Sequence, residues 1–121
     1  MSVIHKNPAA RNEEVREFIT GLGYAIPLDF VKLMSESNGM AVETVDYDFT
    51  VWSLDEILSL NKDYQVEEFA PDFILLGTNC GGMALAMEKM TAKLYAIPFI
   101  GFEKSDGKFL ANNFTEFLAL E

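Results

Sequence analysis

The fold of this chain is decided by residues 73–99, which read FILLGTNCGGMALAMEKMTAKLYAIPF. Two apolar runs, Phe73–Leu76 and Met83–Met87, stand on either side of a glycine-rich segment. Apolar runs of this length that are bounded by turn residues are typical of strands. A third run, Lys93–Phe99, has the same character, and Pro98 marks an edge or a bulge in it. The stretch therefore predicts antiparallel strands at the centre of the fold.

The residues after this stretch continue the sheet and then form a closing helix. Asp106-Gly107 is a two-residue hairpin signal between Phe102–Lys104 and Lys108–Leu110. Asn113 and Glu116 have the spacing of a capping box at the start of a helix. The apolar face of that helix consists of Phe114, Phe117 and Leu118. We expect this C-terminal helix to pack on the sheet.

Two helices precede the sheet. The first begins at Asn7-Pro8 or at Asn12, either of which offers an N-cap, and the glycines of Gly21–Gly23 end it. Pro27 suits the first residue of the second helix, which Asn38-Gly39 closes with a left-handed residue. The side chains expected to face the core are Val15, Phe18, Ile19 and Leu22 in the first helix and Phe30, Val31, Leu33 and Met34 in the second.

Between these helices and the central stretch we expect one strand and one short helix. Met40–Trp52 is rich in strand-forming residues. Ser53-Leu54-Asp55-Glu56 is a capping box, so a helix begins there. Helices and antiparallel strands in this order predict an α+β fold, with N-terminal helices and a mostly antiparallel central sheet, in a single domain over residues 1–121.

Length and composition limit where such a protein works. A chain of 121 residues fits one domain of ordinary size. No stretch approaches the roughly 20 apolar residues that span a bilayer, and residues 1–11 lack the apolar region of a secretory signal. Cys80 is the only cysteine, so no internal disulfide can form. We expect a cytoplasmic protein, monomeric or weakly dimeric, with no membrane contact.

The net charge of −10 is concentrated in one part of the chain. Residues 1–42 and 73–121 each hold four basic and five acidic groups, a balance of −1. Residues 43–72, the acidic segment, hold nine acidic residues against Lys62 alone, a balance of −8. The nine are Glu43, Asp46, Asp48, Asp55, Glu56, Asp63, Glu67, Glu68 and Asp72.

A field of this sign repels phosphate backbones and attracts basic proteins. We therefore expect no direct binding of nucleic acid, and we interpret the nine acids as a binding surface for a basic protein. The alternative is a surface that only keeps the protein in solution. Tyr47, Trp52 and Tyr64 are candidate aromatic anchors within the segment, although a single tryptophan beside a helix cap usually packs in the core.

Candidates for catalysis or metal binding are few. His5 stands in a polar N-terminal tail that we expect to be disordered, and a general base must be held in place by packed neighbours. Cys80 has no base near it in sequence, and the glycines of Gly77–Gly82 lack the lysine of a phosphate-binding loop. Asp46 and Asp48 share one strand face but have no third ligand at matching spacing. We therefore expect no catalytic residue, no metal site and no cofactor.

Several landmarks occur in a familiar order. They are Ile26-Pro27-Leu28-Asp29-Phe30, Asn38-Gly39, Trp52-Ser53-Leu54-Asp55-Glu56-Ile57, Phe73-Ile74 with Gly77 and Gly81-Gly82, Leu94-Tyr95, and Asn113-Phe114-Thr115-Glu116-Phe117-Leu118. In this order they resemble the SUKH superfamily, which groups a fungal regulator of cell-wall synthesis with many bacterial toxin-immunity proteins. Met83 departs from the pattern, because many members carry an acidic or polar residue after the glycine pair.

The resemblance implies a non-enzymatic, protein-binding domain that is often encoded beside a secreted toxin and neutralises it inside the producing cell. Nuclease toxins are commonly basic, which agrees with the charge of the acidic segment. A second hypothesis is a regulatory or scaffolding adaptor, like the fungal relative. A third is an enzyme that uses Cys80 or the pair of Asp46 and Asp48.

Overall fold

The computed structural model describes residues 2–24, 26–43, 47–79, 81–99 and 107–120. Within these ranges the helices are α1 (Asn12–Leu22), α2 (Leu28–Glu36), α3 (Leu54–Asp63), α4 (Val66–Phe69) and α5 (Phe114–Leu118). The strands are β1 (Ser2–Lys6), β2 (Met40–Glu43), β3 (Asp48–Val51), β4 (Phe73–Thr78), β5 (Met83–Glu88), β6 (Leu94–Pro98) and β7 (Lys108–Ala111). Cys80, Asp46, Asp106 and the predicted strand Phe102–Lys104 lie outside the described residues.

The strands form one sheet in which each strand pairs with the next along the chain. The order is β1-β2-β3-β4-β5-β6-β7, and every pairing is antiparallel. The predicted α+β class is confirmed, with α1 and α2 between β1 and β2 and with α5 after β7. Because β7 pairs directly with β6, Pro98 lies at the end of an internal strand rather than on an edge.

Two features near the N-terminus differ from expectation. Met40–Trp52 forms the hairpin of β2 and β3 instead of one strand, with Glu43 directly opposite Asp48. The segment between these strands has no glycine or proline, so the sequence carried no turn signal. The tail around His5 is strand β1, because pairing with β2 orders residues that have no apolar alternation of their own.

The core runs through a chain of phenylalanine rings that joins three helices to the sheet. Phe30 of α2 lies between Phe18 of α1 and Phe114 of α5, with ring centroids 6.3 and 5.0 Å apart. Phe117 then contacts Phe49 of β3 at 5.9 Å. All five rings are buried, and edge-to-face contacts of this kind add to the energy of burial.

The helix boundaries follow the sequence with small shifts. Arg11, not an asparagine, is the residue before α1, and its backbone N–H and Nε donate to Glu14 Oε1 at 3.0 and 3.1 Å. Gly23 ends α1 in a left-handed conformation, as expected. Ile19 is exposed although its spacing placed it on the apolar face, because α2 and α3 cover the neighbouring face that holds Phe18.

The Asn38-Gly39 turn joins the N-terminal segment, α2 and α3. The backbone N–H of Asn38 donates to Pro8 O at 2.8 Å, and Asn38 Oδ1 accepts the first free N–H of α3, from Leu54, at 2.8 Å. Gly39 has a φ of +96°, and a Cβ there would lie 2.9 Å from Val51 O. Only glycine fits this backbone without strain.

We expect Gly39→Ala to destabilise the protein by about 2 kcal/mol or more, because it combines a left-handed backbone with a steric contact. Gly23→Ala is the matched control, since its φ is +73° but nothing lies within 4 Å of the added Cβ. Gly23→Ala should cost roughly 1 kcal/mol. The measurement is urea unfolding, and equal losses in the two variants would show that the contact at Gly39 is unimportant.

Phe117→Ala should lower the free energy of unfolding by about 3–5 kcal/mol, because it leaves a cavity at a fully buried position. Phe109→Ala provides the comparison, because that ring is 49% exposed. Its loss should be about 1 kcal/mol or less. Thermal melting of both variants checks this, and a Phe117→Ala variant as stable as Phe109→Ala would mean that α5 is peripheral.

Candidate protein-binding surface

The acidic segment does not form one continuous patch. All eight of its acids that the structure describes are exposed. Glu43 and Asp48 face each other across the β2–β3 hairpin, and Asp55 and Glu56 begin α3. Asp63 lies at the other end of α3, about 12 Å from Asp55 along the helix axis. At that separation charges in water are largely screened from each other at physiological ionic strength.

The largest group of acids surrounds α4. We define the acidic rim as Asp63, Glu67, Glu68 and Asp72, which lie between the end of α3 and the start of β4. Glu67 forms an ion pair with Lys89. Among the residues that the structure describes, Asp63, Glu68 and Asp72 form no ion pair. The rim therefore presents unmatched negative charge to the solvent.

Glu56 has a structural role instead. Its Oε1 accepts hydrogen bonds from the backbone N–H and the hydroxyl of Ser53, at 3.2 and 2.9 Å. The predicted capping box at the start of α3 is thus confirmed. Glu43, Asp48 and Asp55 have no ion pair in the described part of the chain, and Asp46 lies outside it. The structure thus assigns different roles to acids that the sequence treated alike.

Beside the acidic rim a cleft of about 500 Å³ opens between α1, α3, α4 and β4. Its apolar lining consists of Leu22, Ile57, Leu58, Val66, Phe73 and Ile74. Glu67 and Glu68 line the same cleft, so its apolar interior and the acidic rim are continuous. Gly21 has no side chain, which leaves space in this wall of the cleft. An added Cβ at that position would fill part of the space and lie only 3.3 Å from Leu58 Cδ1.

Local backbone geometry keeps the cleft open. Gln65 holds a left-handed conformation with a φ of 55°, which turns the chain sharply between α3 and α4. Helix α4 is only four residues long, so it walls the cleft without covering it. A glutamine in this backbone region is uncommon and must be maintained by its surroundings.

Asn61 anchors the α3 wall of the cleft to the sheet. Its Nδ2 donates to Leu75 O, and its Oδ1 accepts from the backbone N–H of Leu75, both at 2.8 Å. Strand β3 pairs with β4 only at Gly77 and Thr78. The amide of Asn61 therefore supplies the two hydrogen bonds that a longer neighbouring strand would have made.

A cation is held at the mouth of the cleft. Lys89 Nζ lies 4.4 Å from the centroid of the Tyr24 ring and pairs with Glu67. Burial, and then the negative charge of Glu67, raise the pKa of Tyr24 to about 12. No pattern in the sequence points to Tyr24 and Lys89, because they are 65 positions apart and only the fold brings them together.

The aromatic candidates of the segment have different environments. Trp52 is buried, as expected for a core residue. Tyr47 is half-buried and stacks on Phe49 at 5.8 Å, while Lys108 Nζ lies 5.1 Å from its ring centroid. Tyr64 is exposed and contacts Phe99 at 5.0 Å.

Of the side chains considered for catalysis or metal binding, the structure describes His5 and Asp48. His5 is exposed on β1, and its Nε2 lies 3.2 Å from Asn7 Oδ1. No three side chains of the His, Cys, Asp or Glu type come together in the described ranges to hold a metal. Nor does any helix in the described part have the length and apolar character needed to cross a membrane.

The raised pKa of Tyr24 gives a prediction about pH. One tyrosine should ionise near pH 12 in an ultraviolet titration, and Tyr24→Phe should remove that step. Since unfolded tyrosine ionises near pH 10, the contribution of Tyr24 to stability should be complete below that pH. It should be lost as the pH rises from about 10 to 12. Glu67→Gln should lower the pKa of Tyr24 partway, whereas a native Tyr24 that ionises near 10 would contradict the burial.

Comparison with known proteins gives the family. A scan against protein-family models matches the SMI1 / KNR4 family (SUKH-1) over residues 9–120. No curated protein matches the chain. The match spans almost all of the sequence, from the residues before α1 to the end of α5. The chain therefore belongs to the SMI1 / KNR4 family (SUKH-1).

Proposed function

We propose that this protein is an immunity protein that neutralises a basic protein toxin, often a nuclease, by direct contact through its acidic segment. Membership of the SMI1 / KNR4 family fits a non-enzymatic, protein-binding domain. The observation that carries the proposal is the set of exposed acids within the acidic segment that form no ion pair in the described part of the chain. These six are Glu43, Asp48, Asp55, Asp63, Glu68 and Asp72.

Unpaired carboxylates of this kind act at long range. Attraction between oppositely charged surfaces speeds association by about 10- to 1,000-fold, and salt weakens the effect. Two like charges directly opposite each other on neighbouring strands, as Glu43 and Asp48 are, lower stability rather than raise it. A basic partner would remove that repulsion on binding.

The proposal implies a cellular setting. A nuclease toxin acts on nucleic acid inside the cell, so the protein that blocks it must be present there before the toxin acts. We therefore place the protein in the cytoplasm, as a monomer or weak homodimer that meets the toxin in solution. The adaptor hypothesis differs in that its partner is a resident cellular protein.

The test uses the purified toxin domain encoded beside this gene. Replacing the six unpaired acids by Asn or Gln should slow association by at least about tenfold at 0.1 M salt. The effect should largely disappear at 1 M salt, where the Debye length is about 3 Å. Melting temperatures should stay close to the wild-type value, because exposed charge changes usually alter stability by less than about 0.5 kcal/mol.

Two triple variants then separate the parts of the segment. One is Glu43→Gln, Asp48→Asn and Asp55→Asn, and the other is Asp63→Asn, Glu68→Gln and Asp72→Asn. The control changes the same amount of charge elsewhere, with Glu13→Gln, Glu17→Gln and Glu36→Gln, which are also exposed. Association that is equally fast in all variants, or a neighbouring gene product that does not bind, would overturn the proposal.

A further inference from the structure

We propose that the cleft between α1, α3, α4 and β4 is an anchor pocket for apolar side chains of a partner segment that carries Lys or Arg beside them. The inference rests on the proposed function only for the basic character of the partner. The cleft itself is a feature of the fold. Its apolar lining indicates the apolar side chains of the occupant, and the acidic rim indicates its positive charge.

The interior of the cleft selects apolar groups. Its walls are Leu22, Leu58, Val66 and Phe73, with Asn61 as an internal polar residue. Both the donor and the acceptor of the Asn61 amide are already used by the α3 and β4 backbones. No side chain in the described ranges leaves a buried polar atom without a partner. A small polar ligand would thus find few groups to orient it.

The occupant must bring side chains rather than a backbone edge. An extended peptide binds by adding a strand, which requires free N–H and C=O groups on the receiving edge. At Leu75 both groups are bonded to Asn61, at 2.8 Å each. Strand addition to this side of β4 is therefore blocked at Leu75. A partner helix or loop that inserts apolar side chains meets no such obstacle.

The rim selects positive charge next to those apolar side chains. Glu68 lines the cleft, and Asp63 and Asp72 flank it. None of these three acids forms an ion pair within the described part of the chain. Among the residues that the structure describes, Lys62 is the only basic one in the lining. Tyr24 and Glu67 already bind a cation, Lys89, by a ring contact and an ion pair. That contact shows that the mouth stabilises an ammonium group.

Exposed apolar residues extend the surface beyond the cleft. Phe69 of α4 is 60% exposed, and Met90, next to Lys89, is 91% exposed. Both are on segments that contribute to the acidic rim or its ion pair. Large apolar side chains exposed beside an apolar cleft are typical of protein-binding sites. The occupant we infer is an amphipathic, basic segment of a partner protein.

The first experiment uses a synthetic amphipathic helix with leucines on one face and arginines on the other. In ¹H–¹⁵N spectra of the full chain it should shift the amides of Leu22, Leu58, Val66 and Phe73. A peptide of equal charge with alanine in place of leucine should bind at least about tenfold more weakly. A peptide with glutamate in place of arginine should not bind. Equal binding of the leucine and alanine peptides, or shifts confined to the β2–β3 hairpin, would overturn the proposal.

The second experiment blocks the cleft. Gly21→Leu places a side chain against Leu58 at the mouth, on a helix whose backbone accepts any residue. Thr20→Leu is the matched control, because it adds the same side chain to an exposed position of α1 that does not line the cleft. We expect Gly21→Leu to weaken binding of the leucine peptide at least about tenfold and Thr20→Leu to leave it unchanged. A folded Gly21→Leu variant that binds the peptide like wild type would overturn the proposal.

Both variants are then tested against the toxin domain encoded beside the gene. Loss of toxin binding in Gly21→Leu, with normal binding in Thr20→Leu, supports the cleft as the anchor pocket. If neutralising the six acids prevents toxin binding while Gly21→Leu does not, the cleft proposal fails and the proposed function stands. If the toxin binds neither the wild type nor any variant, the proposed function fails. The peptide titration then still tests whether the cleft is an anchor pocket.

Discussion

The turn at Asn38-Gly39 is the constraint on which the rest of the structure depends. Asn38 is bonded to Pro8 before α1 and to Leu54 at the start of α3, so one residue fixes three segments. Gly39 allows β2 to begin immediately, so close to the end of β3 that an added Cβ would lie 2.9 Å from Val51 O. If this turn moved, α3 would shift relative to the sheet. The hydrogen bonds from Asn61 to Leu75 in β4 and the shape of the cleft would then change as well. The Asn38-Gly39 pair thus has a physical reason in this fold.

The cleft is a consequence of incomplete sheet pairing. Strand β3 pairs only with the last residues of β4. The backbone N–H of Trp52 donates to Leu76 O at 2.9 Å, and the side chain of Asn61 from α3 bonds both backbone groups of Leu75. A helix that meets a strand edge through one amide cannot pack as closely as a second strand. The space that remains is lined by apolar side chains and bordered by α4. The same arrangement that satisfies the backbone of Leu75 therefore leaves the open, apolar cleft that we propose as an anchor pocket.

The acids of the segment have three different relations to the fold. Glu56 stabilises the start of α3, Glu67 is paired with Lys89, and others, such as Glu68, have no partner within the described chain. Only the unpaired acids carry a charge that is free to form an ion pair with a binding partner. Charge at these positions contributes little to the stability of the monomer. Its concentration in one segment is therefore not explained by folding, and the proposed role in association would account for it.

The sequence by itself determined the local features of this protein: the α+β class, the central strands, the capping box at Ser53, the glycine at position 39 and the family resemblance. These depend on residues close together in the chain, through side-chain period, backbone conformation and capping. It did not predict β1, which has no pattern of its own and is ordered by β2, or the pairing of β2 with β3, because the residues between them include no glycine or proline. Only the tertiary structure decided which acids remain unpaired, that Asn61 closes β4, and that Tyr24 and Lys89 meet at the cleft. Those contacts join residues far apart in sequence, and no local pattern records a distance that the whole fold creates.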